Sequence, residues 1–255
     1  MATAVGCEKK QSAPRVLVAN LGMLSPLVYR SPGAEGTGDK LTGLEYELLQ
    51  DFARWSGARL ECRRITRVKD KLPGVIDDHV DLAIGAIDIT TERSKKVLFS
   101  KATVVSGKAI LMRVNDETAA DIRSHWDLRG KPVATKKDTT SVAALKEIGA
   151  TIHAEKEIES AFRMLREKKV VAVVFDAPVL WDFVKHQGKD WAEINGEVFD
   201  PVEYGIAVNL RNTQLRDEIN RFLDEYLLSP KYQSLLTQFV TPEDSIRARR
   251  VNLKK

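Results

Sequence analysis

Residues 80–93 read VDLAIGAIDITTER, and this stretch decides the fold. Its first half, residues 80–86, is a short apolar run, which predicts a buried strand. Its second half places Thr90 directly before Thr91-Glu92-Arg93, and threonine is a favoured residue at a helix N-cap. The stretch therefore predicts a strand, a polar loop and a helix in close succession, the unit from which α/β proteins are built.

A similar unit occurs later in the chain. Residues 170–176 read VVAVVFD, an apolar run suited to the centre of a parallel sheet. Each of the two runs follows a predicted helix and ends in an aspartate, Asp88 and Asp176. In open α/β sheets, ligands bind beyond the carboxyl ends of the strands. The repeat therefore predicts two similar lobes that face each other across a cleft, with both aspartates at that cleft.

The rest of the chain continues the alternation of strands and helices. Strands are predicted at residues 15–19, 59–66, 104–113, 131–135 and 204–210, and helices at 44–56, 141–148, 157–168, 214–228 and 230–239. This order predicts an α/β protein with parallel sheets. Because an extended run lies on either side of the second unit, we expect a two-strand hinge. Lobe 1 would comprise residues 15–110 and 207–240, and lobe 2 residues 111–206.

The composition is that of a globular protein, with 43% of the 255 residues apolar and 30% charged. Lys plus Arg exceed Asp plus Glu by only 40 to 36, and the basic residues are spread along the chain, which argues against nucleic acid as a partner. No run of about 18 apolar residues is present, so no membrane span is expected. Two cysteines and four scattered histidines predict neither a disulfide framework nor a metal site, and no cofactor is expected.

Both ends of the chain are predicted to be tails. Residues 1–14 read MATAVGCEKKQSAP and are expected to be a flexible tether. Small residues before Cys7 are similar to the end of a bacterial lipoprotein signal, although the charged start and the apolar stretch of a secretory signal are missing. Cys7 is therefore either a lipidation site or an incidental cysteine. The basic tail at residues 241–255 is expected to be solvated, with contact to anionic lipid or to a partner as the alternative.

Arg93 is a candidate ligand for an anion. A helix N-terminus offers free backbone N–H groups and the positive end of the helix dipole. The Arg93 guanidinium, one turn into the predicted helix, can bind a carboxylate through two parallel hydrogen bonds. Taken alone, the same pattern also fits a helix cap followed by a surface arginine, which is the commoner arrangement.

The second half of the chain supplies a complementary set of groups. Thr139 and Thr140 lie between a predicted strand and a helix, where their hydroxyl and amide groups either bind an anion or cap the helix. The Asp176 carboxylate, directly before Ala177-Pro178, either caps a helix or binds a cation. An anion clamp beside an acidic group suits an α-amino acid, with its carboxylate at Arg93 and its ammonium at Asp176.

The order and spacing of these motifs resemble those of the family-3 extracellular solute-binding proteins. These are bacterial amino-acid-binding proteins that share their fold with the ligand cores of ionotropic glutamate receptors. The resemblance covers about residues 15–240, and its motifs lie at 41–48 (LTGLEYEL), 80–93, 97–100 (VLFS) and 127–131 (DLRGK). It implies a two-lobe, type II periplasmic-binding-protein-like clamshell with a two-strand hinge that closes around its ligand.

The resemblance also implies roles for first-lobe residues. Arg93 would bind the ligand's carboxylate, and Thr90 would assist through its hydroxyl and amide. Asp88 lies where the family often has Ser or Thr at the ammonium site. Ala86 would contribute only its backbone carbonyl.

In the second lobe, Thr139 and Thr140 correspond to the pair that closes on the ligand, and Asp176 corresponds to the acidic residue that receives the ammonium. The protein is thereby expected to be a monomeric binding protein and not an enzyme. Its partners would be an amino acid and the membrane permease of an ABC-type importer, and its location the periplasm or the cell surface.

The sequence departs from the family pattern at several positions. Leu24 lies where the loop after the first strand commonly has an aromatic residue, and no aromatic residue lies near Val68. Glu45 and Glu47 replace the usual aspartates, so a counter-ion for a basic ligand side chain is conceivable. These departures concern selectivity for the ligand's side chain and leave the clamp for the amino-acid backbone intact.

Two alternative functions stay open at this stage. The first is the ligand-sensing core of a glutamate-receptor-like channel or sensor. The one argument against this function is that the given sequence shows no channel segment. The second is a dehydratase-type enzyme on the same fold. No Ser/His/Asp or Cys/His set is visible to support it.

Overall fold

The computed structural model describes residues 15–31 and 40–240. The predicted tether with Cys7 and the predicted basic tail lie outside the described residues. The strands are β1 (Val16–Gly22), β2 (Tyr29–Ser31), β3 (Lys40–Thr42), β4 (Arg59–Ile65), β5 (Leu82–Ile84), β6 (Val97–Phe99), β7 (Val104–Arg113), β8 (Pro132–Lys136), β9 (Thr151–Glu155), β10 (Ala172–Asp176), β11 (Ala192–Tyr204) and β12 (Ala207–Asn209). The α-helices are α1 (Leu44–Trp55), α2 (Pro73–Ile76), α3 (Thr91–Ser94), α4 (Thr140–Ile148), α5 (Ile158–Arg166), α6 (Ala177–Phe183), α7 (Thr213–Tyr226) and α8 (Pro230–Phe239).

Two five-stranded sheets organise the described chain. The first has the strand order β4-β1-β5-β12-β6 and the second the order β11-β7-β10-β8-β9. In each sheet one strand runs against its neighbours, β12 in the first and β7 in the second. The expectation of purely parallel sheets is therefore wrong for these two strands. Each enters its sheet directly from the other sheet, without the helical crossover that parallel neighbours require.

The chain crosses between the sheets twice, at residues 100–103 and 205–206. The two crossings are hydrogen-bonded to each other: Ser100 N–H donates to Ile206 O at 2.9 Å, and Thr103 N–H donates to Tyr204 O at 2.8 Å. This pair of adjacent segments is the two-strand hinge. All of β7 pairs within the second sheet, whereas the boundary between the lobes at residue 110 stays a prediction.

Local sequence patterns explain most elements. The apolar face of α1 (Leu44, Leu48, Leu49 and Phe52) is fully buried, as its helical spacing predicts. The apolar run at 170–176 forms β10, the central strand of the second sheet. The strands β9 and β11 were not predicted. In β11 the pairing register with β7 shifts twice between Asn195 and Val202, so its side chains do not alternate regularly.

The first unit of the repeat differs from its predicted form. The strand β5 ends at Ile84, so Asp88 lies in the following loop and not at a strand end. Gly85 and Ala86 turn this loop with φ angles of 117° and 49°. A Cβ atom on Gly85 would lie 2.2 Å from the carbonyl oxygen of Gly22 at the end of β1. Glycine is therefore required for the loop to pass this close to β1.

We expect Gly85→Ala to lower the free energy of unfolding by about 3 kcal/mol, because backbone strain and steric overlap add at this position. Urea denaturation measures the change. Gly57→Ala is the matched control, since Gly57 also has a positive φ angle (67°) but has no atom within 4 Å of the added Cβ. It should cost only about 1 kcal/mol. Equal losses for the two variants would show that the contact with Gly22 is unimportant.

Candidate functional site

A cavity lies between the two sheets, where the loops after β1, β5 and β8 meet the end of β10. Six of the seven residues predicted for the site line it: Ala86, Asp88, Arg93, Thr139, Thr140 and Asp176. The other lining residues are Met23, Leu24, Thr66, Val68, Lys71, Lys136 and Phe175. The seventh predicted residue, Thr90, supports the cavity wall without reaching the cavity.

Thr90 and Arg93 form the helix start that the sequence predicts. The Thr90 hydroxyl accepts a hydrogen bond from the Arg93 N–H at 3.2 Å and caps α3. The Arg93 guanidinium folds back, and its Nη1 donates to the Asp88 carbonyl oxygen at 2.9 Å. Nη1 also lies 3.9 Å from a carboxylate oxygen of Asp88. Because α3 has only four residues, the guanidinium and not the helix dipole is the main positive charge at this helix start.

Glu45 holds the loop that carries Ala86. Its side chain is fully buried, and Oε2 accepts a hydrogen bond from the Ala86 N–H at 2.6 Å. Oε1 accepts a hydrogen bond at 2.9 Å from the hydroxyl of Thr103, a hinge residue. Burial raises the pKa of this carboxyl group above its usual value. Glu45 therefore has a supporting role, and the expectation of a counter-ion for a ligand side chain is wrong for it because both oxygens already have partners.

Lys71 is a cleft residue that the sequence analysis missed. Its side chain is buried, and its Nζ donates to Gly85 O at 2.6 Å and lies 3.4 Å from Ala86 O. Burial lowers the pKa of Lys71 to about 8, an effect that the nearby Glu45 carboxylate opposes. No local signal marks this lysine, because a single charged residue within a partly apolar stretch is normally exposed.

Asp176 lies at the end of β10 on the opposite wall. Its side chain does not cap α6, so the capping alternative does not hold. Burial and, after it, the nearby Asp88 carboxylate raise the pKa of Asp176 to about 6, against the opposing effects of Lys108, Tyr204 and Lys71. The buried Tyr204 hydroxyl affects the pKa of Asp176, but it makes no hydrogen bond to Asp176 or to any other of the described residues. Within residues 15–31 and 40–240, Asp176 is thus a buried acid without an ion pair of its own, although the positive charges of Lys108 and Lys71 act on it.

The two lobes contact each other directly at the cleft. The Thr140 hydroxyl donates to Asp88 Oδ2 at 2.5 Å. Thr139 precedes α4, but its hydroxyl donates to Lys136 O at 2.7 Å instead of capping the helix. Farther along the cleft, the Ser25 hydroxyl donates to Asp182 at 2.8 Å. The structure therefore has a nearly closed cleft, with Asp88 and Thr140 in contact across it.

Comparison with known proteins agrees with this geometry. Residues 18–242 match the profile of the bacterial extracellular solute-binding proteins, family 3. The chain belongs to this family. The L-cystine-binding protein TcyJ of Escherichia coli K12 is 27% identical over 203 residues, which are 79% of this chain and 75% of that protein.

Solved structures share the fold of this solute-binding protein. The ligand-binding core of GluR0 from Nostoc punctiforme, solved with L-glutamate, is 32% identical and has a TM-score of 0.76. The match covers 89% of this chain and all of that one. An ancestral amino-acid-binding protein described as a precursor of cyclohexadienyl dehydratase is 24% identical over 88% of this chain and 94% of that one, with a TM-score of 0.75. The prediction of a type II clamshell is confirmed.

Two further features of the described residues bear on the site. None of the helices at 15–31 and 40–240 is long and apolar enough to cross a membrane. Within the same ranges, no group of three or more His, Cys, Asp and Glu residues has an arrangement that could hold a metal ion. The chemistry available in the cleft is that of carboxylates, ammonium groups, a guanidinium, hydroxyls and backbone amides.

We expect Glu45→Ala to destabilise the protein by about 3 kcal/mol, because it leaves the buried Ala86 N–H without an acceptor and removes a fully buried side chain, whereas the Thr103 hydroxyl keeps Tyr204 O as an acceptor at 3.1 Å. The free energy of unfolding from urea denaturation measures this loss. Glu47→Ala removes a half-exposed glutamate of the same helix and should change stability by less than about 0.5 kcal/mol. A similar loss for both variants would contradict the role of Glu45 in holding the loop.

Proposed function

We propose that this protein captures an α-amino acid between its two lobes and presents it to the membrane permease of an ABC-type importer. The observation that carries the proposal is the cavity with the Arg93 guanidinium on one wall and the buried Asp176 carboxylate on the other. These are the partners that the carboxylate and the ammonium of an amino acid require once water is excluded. The cystine-binding and glutamate-binding relatives support the same ligand class.

Within this proposal each lobe contributes to the clamp. Arg93 binds the ligand's carboxylate, while the Thr139–Thr140 turn at the start of α4 closes on the same group from the second lobe. Asp176 receives the ammonium, with Asp88 beside it and the Ala86 carbonyl on the loop below. Thr90 positions Arg93 by capping α3. The two lobes, which lie on either side of the crossings at residues 100–103 and 205–206, would close by rotation about this hinge.

The remaining parts of the proposal concern the setting of the protein. It would act as a monomer outside the cytoplasmic membrane, as the family description indicates, with Cys7 as a lipid anchor. A ligand-sensing core is the second candidate, and the 32% identity to the GluR0 core favours it. Binding without turnover is proposed because no histidine or cysteine lines the cavity. Formation of a product from a bound amino acid would instead favour the dehydratase alternative.

A thermal-shift screen against the twenty amino acids tests the function directly. A ligand present at 100 times its Kd should add about 2.7 kcal/mol to the stability. We expect Arg93→Ala to weaken binding of the identified amino acid by about 2–5 kcal/mol in calorimetry, because the ligand's carboxylate loses its buried partner. Arg93→Lys should recover little, since one ammonium cannot replace the bidentate fork.

Arg59→Ala is the control for this experiment, because it removes an exposed arginine of the first sheet whose one ion pair among the described residues is with Glu61. It should leave the affinity unchanged. Unchanged affinity of Arg93→Ala as well would place the ligand's carboxylate elsewhere.

We expect amino-acid affinity to fall as the pH drops below about 6, because Asp176, whose pKa is raised to about 6, must be ionised to hold an ammonium. The stability of the empty protein should change in the opposite sense. A raised pKa means that the folded state favours the protonated acid, so the stability contribution of Asp176 is present at low pH and is lost as the pH rises through about 6. Calorimetry and urea denaturation between pH 5 and 8 measure both trends.

Asp176→Asn should remove both trends and weaken amino-acid binding at pH 8 by at least about 1.4 kcal/mol. The 2-keto or 2-hydroxy acid that matches the ligand should bind relatively better to this variant than to the original protein. A preference of the original protein for the acid without an ammonium would instead favour an organic-acid binder or a dehydratase.

A further inference from the structure

We propose that the ligand of this cleft is an amino acid with a second acidic group, and that this group lies between Lys71 of the first sheet's side and Lys136 of the second. This inference rests on the proposed function for the amino-acid clamp and adds the class of the side chain. Arg93 and Asp176 serve the groups that all α-amino acids share, whereas the two lysines are left for the group that differs among them.

Of the two lysines, Lys136 gives the stronger support for this proposal. It is the last residue of β8, its side chain is 8% exposed, and it lines the central cavity. Its ammonium group makes no hydrogen bond to any of the described residues, and its one ion pair there, with the half-exposed Glu157, is 3.6 Å long. A largely buried lysine whose ammonium group makes no hydrogen bond to a described residue has donors available for an anion that enters the cavity. A ligand's acidic group at this position would supply that anion.

Lys71 faces the same cavity from the opposite side. Its Nζ donates one short hydrogen bond to Gly85 O and one long hydrogen bond to Ala86 O. The positive charge of Lys136 lowers the pKa of Lys71, so the two ammonium groups are close enough to repel each other. The Glu45, Asp176 and Asp88 carboxylates also act on Lys71 and oppose the effect of burial. Two cations brought to one cavity from two sheets nevertheless favour an anion that enters with the ligand.

The balance of charge in the cavity points in the same direction. Its lining carries three cations, Lys71, Arg93 and Lys136, against two acids, Asp88 and Asp176. An amino acid with a second acidic group has one net negative charge and balances this set. A neutral amino acid leaves the surplus in place, and a basic one increases it in an enclosed space where like charges interact strongly.

The mouth of the cleft extends the positive field. An adjoining cavity on this side is lined by five cations, Arg67, Lys69, Lys136, Lys137 and Lys156, against two acids, Asp138 and Glu157. Such a rim raises the local concentration and the association rate of anionic ligands. A second neighbouring cavity contains Glu157, Glu159 and Asp182, which would suit the end of a basic side chain. The opposite class of ligand is therefore a defined alternative for the test.

The experiment compares ligands that differ only in the side-chain charge. Calorimetry with the whole protein at low ionic strength uses L-glutamate, L-aspartate, L-glutamine and L-arginine as probes. We expect the better acidic amino acid to bind at least about tenfold more tightly than L-glutamine. We expect Lys136→Gln to remove most of this preference by weakening the acidic ligand at least about tenfold while hardly changing the affinity for L-glutamine.

Lys169→Gln is the matched control, since it removes one positive charge from an exposed lysine that follows α5. It should leave the ratio of acidic to amide affinity unchanged. Lys71→Met tests the other side of the cavity and should lower the same ratio. If Lys71→Met fails to fold, the result for Lys136→Gln still decides.

Three outcomes would overturn the inference. These are tighter binding of L-glutamine or L-arginine than of both acidic amino acids, an unchanged ratio in Lys136→Gln, and no binding of any probe. The first two leave the proposed function intact, because an amino acid still binds. Binding of glutarate or 2-oxoglutarate that depends on Lys136, without binding of amino acids, would instead contradict the proposed function. It would still support the role of Lys136 in binding a second acidic group.

Discussion

The buried carboxylate of Glu45 is the interaction on which the cleft depends. It joins three parts of the chain that are far apart in sequence: helix α1, the loop at Ala86 and the hinge residue Thr103. A carboxylate without contact with water is tolerated only when hydrogen-bond donors surround it. Those donors come from the loop and from the hinge, so neither can move far without leaving Glu45 unsatisfied. The first wall of the cleft and the hinge are thereby built as one rigid body.

Around the cleft, on both walls, the structure places charges that do not cancel locally. After burial itself, the Asp88 carboxylate is the next cause that raises the pKa of Asp176, and the Lys136 ammonium group adds to the effect of burial in lowering the pKa of Lys71. Such an arrangement stores electrostatic free energy in the empty protein. A zwitterion with a further anionic group releases that free energy by giving each charge a partner. Specificity then follows from the pattern of charges more than from the shape of the cavity.

The sequence predicts well what local patterns determine. The Thr90 cap, the Arg93 position one turn later and the central strand that ends at Asp176 follow from short-range rules of helix capping and burial. The family resemblance supplied the order of the lobes. Asp88 was expected at a strand end and lies four residues beyond it, because Gly85 and Ala86 turn the chain away from β5.

Long-range features escaped the sequence analysis for a common reason. Lys71 acquires its role from carbonyl groups more than ten residues away, and the partners of Glu45 lie still farther along the chain. The strand β11 lacks regular alternation because its register slips against β7. A single sequence has no signal for contacts of this kind, since each residue type is as common on an exposed surface. The antiparallel strands β7 and β12 likewise follow from the double crossing between sheets and not from their own composition.

The direct hydrogen bond between Thr140 and Asp88 affects the balance between the open and the closed form of the protein. It joins the two lobes through groups of the chain itself, so part of the free energy of closure is intrinsic to the chain. Any contact that stabilises the closed form before a ligand binds lowers the population of the open form, which is the form that a ligand enters. The apparent affinity for the ligand falls in proportion to that population. A permease that recognises closure alone would then also receive empty carriers. For a carrier of this kind, the strength of the Thr140–Asp88 bond would therefore influence how often the permease meets a loaded carrier and how often it meets an empty one.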